Sequence, residues 1–259
     1  MSSADSVTLV SAFVSNANNH PFHKNGKYLE NGKLFLKSTT QKIVFLDNEM
    51  FSNISESDYD PSNTRLVLYG RENMYYMKYV QRLTNYFPSE HSEKNTKECM
   101  MTMWNKTEYI REAIEINPFN SDTYIWVDFG IRYICNATDQ EFVEKINRLN
   151  KPVLHNQLRL GGIWNIRNEH YCQDILRQVC WFFAGGVFGG RKAPLIIFAD
   201  EMRKTCEELV STNQTATWEV NLWYLIYKKY PFLFNTYPCD HNNTLLDGFH
   251  SETDLARYL

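Results

Sequence analysis

Asp128 closes the apolar run Thr123-Tyr124-Ile125-Trp126-Val127, and an acid in that position can do chemistry. A run rich in β-branched and aromatic residues reads as a buried strand. A carboxylate at the carboxyl end of a buried parallel strand projects into the crevice where open α/β sheets hold their ligands. There it can bind a hard divalent cation, manganese or magnesium, which in turn neutralises a departing diphosphate. Group transfer from a nucleotide sugar depends on that neutralisation. The same position also suits an ordinary turn or cap residue.

Two further constellations could complete such a site. The segment 181–190, Trp-Phe-Phe-Ala-Gly-Gly-Val-Phe-Gly-Gly, carries Gly185, Gly186, Gly189 and Gly190. Glycines let a backbone pass close to a bulky ligand and present N–H groups to it; a tight packing turn between a strand and a helix is the structural alternative. Arg191-Lys192 follows where a Walker-type phosphate loop would need Gly-Lys-Ser/Thr, so that cradle is excluded. Glu219 stands in Thr217-Trp218-Glu219-Val220 at the expected start of a helix, where the helix dipole keeps a carboxylate ionised. It is the candidate base for an attacking hydroxyl, with a helix-capping role as its competitor. Asp200 is the second choice, in a run Ala199-Asp200-Glu201 that reads as a solvated helix face.

The elements that must position these residues follow from the pattern. Strands are expected at 7–14, 42–46, 65–69 and 123–127, with edge strands at 152–154 and 161–166. Helices are expected at 27–36, 72–83, 97–116, 139–149, 193–209 and 218–229, followed by an irregular tail rich in Asn and Asp. The early strands lie about 20 to 35 residues apart, a spacing that favours crossover connections and a mainly parallel sheet.

Composition sets the outer bounds. The 259 residues are 43% hydrophobic and 22% charged with a net charge of −3, enough apolar material for a sizeable core. No Lys/Arg cluster supports nucleic-acid binding. No segment reaches the ~20 apolar residues of a membrane helix, and the first residues lack the pattern of a secretory signal. The six cysteines contain no C-x-x-C pair and are expected as free thiols in a reducing, cytoplasmic setting, that of a host if the AT-rich style of the sequence is viral.

The wording of the sequence also carries a resemblance. Trp104-x-Lys106, Ile110-x-Glu112-Ala113, Asn117-Pro118-Phe119 and Tyr124-Ile125-Trp126-Val127-Asp128-Phe129-Gly130-Ile131 resemble the HtrL/YibB (WlaTC) family of glycosyltransferases. The chain is similar, too, to the N-terminal glycosyltransferase domain of a chlorovirus protein. Thr8-Leu9-Val10-Ser11-Ala12-Phe13, Val44-Phe45-Leu46-Asp47 and Ala184-Gly185-Gly186-Val187-Phe188-Gly189-Gly190 extend the match over about residues 7–246.

This resemblance implies a GT-A fold in which a metal-binding D-x-D triplet ends a central strand. Here the triplet is Trp126-Val127-Asp128, so the first acid is missing and Asp128 alone remains as its carboxylate ligand. His241, in Asp240-His241, best matches the further metal ligand that such enzymes draw from the C-terminal part. Val10, Ser11 and Phe13 would cover the nucleobase, Lys106 would contact the nucleotide, and Trp126 and Val127 would stand beside the donor. Gly185 and Gly186 would line the sugar and acceptor pocket.

The expectation is one α/β, GT-A-like domain over residues 1–259, a Rossmann-type, mainly parallel sheet flanked by helices with an elaborated C-terminal part. Its expected activity is metal-assisted transfer of a hexose-type sugar from a nucleotide-diphosphate donor, UDP foremost, to a glycan or other hydroxyl acceptor. The alternative is a degenerate, non-catalytic module that binds nucleotide or glycan. A nucleotidyltransferase would want a Gly-rich, basic signature after the first strand, which Ser15-Asn16-Ala17-Asn18-Asn19 does not supply. Neither a nucleic-acid partner nor stable membrane insertion is expected.

Overall fold

A computed structural model describes residues 6–14, 26–86 and 95–251; the loop expected at 15–19 lies outside them. In chain order the strands are β1 (Val7–Phe13), β2 (Lys42–Leu46), β3 (Thr64–Leu68), β4 (Thr123–Val127), β5 (Leu158–Gly162), β6 (Phe183–Arg191) and β7 (Phe234–Pro238). The α-helices are α1 (Lys27–Leu36), α2 (Asn48–Ser52), α3 (Lys97–Trp104), α4 (Lys106–Ile116), α5 (Asp139–Arg148), α6 (Lys192–Asn213), α7 (Glu219–Lys229) and α8 (Thr244–Asp247).

The strands form one sheet in the order β3-β2-β1-β4-β6-β5-β7. β1 pairs in parallel with both β2 and β4, and β2 with β3. β6 runs antiparallel to β4 and to β5, while β7 is again parallel to β5. The expected α/β class with a mainly parallel sheet is therefore what the chain adopts, with β6 as the reversed member.

Alternation along the central strands explains the layers, because successive side chains leave a strand on opposite faces. Tyr124 and Trp126 join the core beneath α3, α4, α6 and α7, with Ile43, Phe45, Trp104, Phe198 and Trp223. Ile125 and Val127 join the core on the other face, with Phe35, Phe142 and Leu245 from α1, α5 and α8. A sheet buried on both faces favours apolar residues on both, which is why β2 and β4 read as nearly continuous apolar runs.

Several expected elements come out differently. Residues 72–83 form the 3₁₀ turns Arg71–Asn73 and Tyr75–Arg82, because Met74 between them is extended (φ −70°, ψ 117°). The helix expected at 97–116 divides at Asn105 into α3 and α4. Residues 152–154 pair with no strand among the described residues; the Val153 carbonyl instead accepts from Arg191 Nε at 3.3 Å. The strand expected at the edge near 161–166 is β5, which lies inside the sheet between β6 and β7. β7 itself falls in the stretch expected to be irregular. Cys172 and Cys180, with Cα atoms 5.4 Å apart, are paired as a disulfide against the expectation of free thiols. Cys99, Cys135, Cys206 and Cys239 are free. Among the described residues no helix is long and apolar enough to cross a membrane.

Candidate active site

Because β1 and β4 are parallel neighbours, the residues that follow them emerge on the same rim. Phe13 and Val14 at the end of β1 and Asp128 just past β4 line one cleft of about 270 Å³. The reversed strand β6 delivers Gly185 and Gly186 to the same rim, and the Asp128 amide donates to the Gly186 carbonyl at 2.9 Å. Asp128 thus sits at the opening of a cleft bordered by the glycine run, with its side chain 29% exposed.

Three charged side chains meet there. Lys106 Nζ lies 2.9 Å from Asp128 Oδ1 and 2.9 Å from Glu219 Oε1, and it donates to the Gly185 carbonyl at 3.0 Å. These three acceptors match the three N–H bonds of an ammonium. Trp126 Nε1 donates to the same Asp128 oxygen at 2.7 Å, which fixes the carboxylate orientation. Burial alone would push the Lys106 ammonium down; Asp128 and Glu219 more than offset it and hold its pKa above the ordinary lysine range.

The local structure shows how each group is placed. Lys106 opens α4 immediately after the break at Asn105, so the break turns its side chain toward the rim rather than along a continuous helix. A cation in the first turn of a helix opposes the helix dipole, and the two acids compensate it. Glu219 opens α7, where the dipole favours an acid; its side chain reaches Lys106 instead of capping the helix. Gly185 makes room for it, since a Cβ there would stand 2.5 Å from Glu219 Oε1. Trp104 Nε1 donates to the Thr217 carbonyl at 2.7 Å and ties the start of α7 to the end of α3.

The remaining residues singled out in the sequence divide by location. Phe13, Trp126 and His241 line the cleft with Lys106, Asp128, Gly185, Gly186 and Glu219. His241 packs edge-on against Trp181 at 4.3 Å between ring centroids, and burial lowers its pKa against the opposing pull of Asp240. Val10, Ser11 and Val127 lie behind the rim, fully buried in the sheet, with Ser11 Oγ donating to the Val127 carbonyl at 2.6 Å. Asp200 is on α6, where Arg111 holds it at 2.6 Å, and it does not line the cleft.

Sequence reasoning missed other walls of this cleft. Tyr28 on α1 packs against Phe13 at 4.7 Å and against Gly130, where a Cβ would stand 2.1 Å from the Tyr28 ring. Its phenol is raised far above the ordinary value, first by burial and then by Asp128. The glycine of Asp128-Phe129-Gly130 was the available signal for a close aromatic partner. Cys99 also lines the cleft, and burial, then Glu219, push its thiol up to about 11.

A resident divalent ion does not fit what these residues offer. Among the described residues no group of three or more His, Cys, Asp or Glu side chains could hold a metal ion. Lys106 and Trp126 already occupy Asp128 Oδ1, leaving Oδ2 as the carboxylate oxygen that remains. With one lysine against two acids, the charged side chains described along the cleft sum to −1 when His241 is neutral.

No protein-family model matches this sequence, and no curated protein matches it. Solved structures overlap it loosely. Apo mouse xyloside xylosyltransferase 1 does so at a TM-score of 0.43 and 9% identity, over 89% of this chain and 84% of that one. A glycosyltransferase involved in glycosylation of the major capsid of PBCV-1 gives 0.39 and 11%, over 89% and 80%. Mycobacterium tuberculosis Rv0371c in complex with manganese gives 0.41 and 8%, over 92% and 90%. Overlaps this loose leave the chemistry to be read from the cleft itself.

Proposed function

We propose that the chain is a GT-A-like glycosyltransferase of the HtrL/YibB type, moving a hexose-type sugar from a nucleotide-diphosphate donor to a hydroxyl acceptor. The observation that carries this reading is the cluster Asp128, Lys106 and Glu219 at the carboxyl rim of the central strands, facing one cleft with the glycine run. The reaction breaks the bond between the anomeric carbon and the diphosphate oxygen, which leaves with the electron pair. A bond from the acceptor oxygen to that carbon replaces it, and Glu219 takes the hydroxyl proton through the oxygen that Lys106 does not hold.

A diphosphate carries more negative charge than a cleft summing to −1 can receive. Manganese or magnesium would therefore enter with the substrate, as the donor's metal complex, and Asp128 is the residue that would meet it. Phe13 and Tyr28 supply aromatic cover for the base, and UDP is the nucleotide to try first.

Calorimetric titration of UDP with manganese and then with a chelator tests the binding half. Binding is expected with the ion and is expected to weaken by at least about tenfold without it. Asp128→Asn should lose both this binding and release of UDP from UDP-glucose or UDP-galactose. Unchanged turnover in that variant would refute the assignment. The missing first acid of Trp126-Val127-Asp128 favours one rival, a binding module without turnover. UDP binding with no UDP released across donors and hydroxyl acceptors would establish that rival.

A further inference from the structure

The sheet carries a second cavity beside the first. β5 and β7 run in the same direction as β4, so their carboxyl ends open on the rim that holds Asp128. Between those ends lies a cavity of about 310 Å³, whose walls include Trp164, Phe182, Phe183, Tyr227, Asn165 and Thr236. Trp181 and His241 wall the first cavity, and Phe182 and Cys239, one and two positions away from them in the chain, wall the second, so the two cavities are adjacent.

The lining defines the class of ligand. No Asp, Glu, Lys, Arg or His side chain faces this cavity among the described residues. A charged ligand entering it would shed its hydration and meet no counter-charge, which selects an uncharged one. The Asn165 side-chain Oδ1 accepts from the Arg167 backbone amide at 3.0 Å. Its amide nitrogen, the Thr236 hydroxyl and the Tyr227 phenol make no hydrogen bond among the described residues. Flat aromatic faces suit the C–H face of a pyranose, and a few hydroxyl and amide groups suit its hydroxyls.

The geometry points to this cavity as the acceptor subsite of the enzyme, filled by an uncharged saccharide. The acceptor role rests on the donor reading of the neighbouring cleft. It narrows the acceptor from any hydroxyl compound to a neutral glycan, and it assigns Trp164 and Thr236 to acceptor binding.

The test uses the full chain and the methyl glycosides of glucose, galactose and mannose as probes, followed by saturation-transfer NMR and titration. At least one glycoside is expected to bind. Its Kd should rise about fivefold or more in Trp164→Ala and in Thr236→Val, and stay unchanged in Asp128→Asn. Thr236→Val keeps the β-branched shape on β7, so an unaltered melting temperature separates lost binding from lost folding. Absence of binding by all three probes overturns the inference. So does binding that survives both replacements, or that Asp128→Asn abolishes. UDP titration of the same proteins keeps the two readings apart. UDP binding without glycoside binding sinks the subsite alone, and absence of UDP binding sinks the donor reading and the acceptor role with it.

Discussion

At the scale of single residues, Lys106 is the pivot of the site. It is 11% exposed on its side chain and balances Glu219, itself 7% exposed, together with Asp128. Removing one partner of a buried ionic cluster leaves the others uncompensated, at a cost of about 3–5 kcal/mol. Lys106→Met should therefore lose stability on that order in urea unfolding at pH 7, toward the lower figure because Asp128 is partly open to water. Glu219→Gln keeps the Lys106–Asp128 pair and should lose less than Lys106→Met, about 1–3 kcal/mol, while abolishing turnover. The pH dependence has a definite sign. A lysine whose pKa is raised by folding contributes stability that is complete below its unfolded value, about 10.4, and lost only above it. Stability owed to Lys106 should thus be flat through the neutral range.

At the scale of elements, β6 and α7 decide whether the cluster forms. Gly189 faces β4 so closely that a Cβ would stand 2.7 Å from the Tyr124 carbonyl oxygen and 2.9 Å from Ile125. Backbone cannot yield there, so Gly189→Ala should unfold about 1–3 kcal/mol more easily in denaturant melts. Gly185→Ala meets Glu219 Oε1, the end of a side chain that can move; its expected effect is reduced turnover with a melting temperature near the parent's. Asn221 on α7 clamps the segment leading into β6. Its Nδ2 donates to the Ile175 and Gln178 carbonyls at 2.7 and 2.8 Å, and its Oδ1 accepts from the Cys180 amide at 2.8 Å. Asn221→Ala should raise hydrogen exchange across residues 163–182 and loosen Trp181 at the cleft, and unchanged exchange would show that Asn221 does not hold this segment.

For the whole molecule, two imidazoles, His250 half-buried and His241 exposed, weaken the fold on the acid side. Burial lowers the pKa of both His241 and His250; Asp240 opposes it at His241, and the Leu149 carbonyl opposes it at His250. Below the ordinary value of about 6.5 the unfolded chain then binds more protons than the folded one, so stability falls as pH drops through that range. Melting temperatures at pH 7.5 and 5.5 should show this loss, and His250→Gln should shrink the difference. A melting temperature indifferent to that interval would mean that neither histidine is protected by the fold.

The strands β1, β2 and β4 were legible because each is buried on both faces and so written mostly in apolar, aromatic and β-branched residues. Asp128, Glu219 and the glycine run were legible as residue types at element ends, where ligand chemistry concentrates. Pairing partners were not. Whether residues 183–191 make a strand depends on β4 and β5 on either side, and the edge position of β7 depends on β5, contacts that no local pattern encodes. Only the family resemblance singles out Lys106, because nothing in the helical pattern around it distinguishes a buried ammonium from a solvated one. Its burial comes from Asp128, Gly185 and Glu219, which approach from distant parts of the chain. Periodicity and side-chain chemistry are local and can be read along a chain; charge compensation and cavity shape belong to residues that meet only once the sheet has closed.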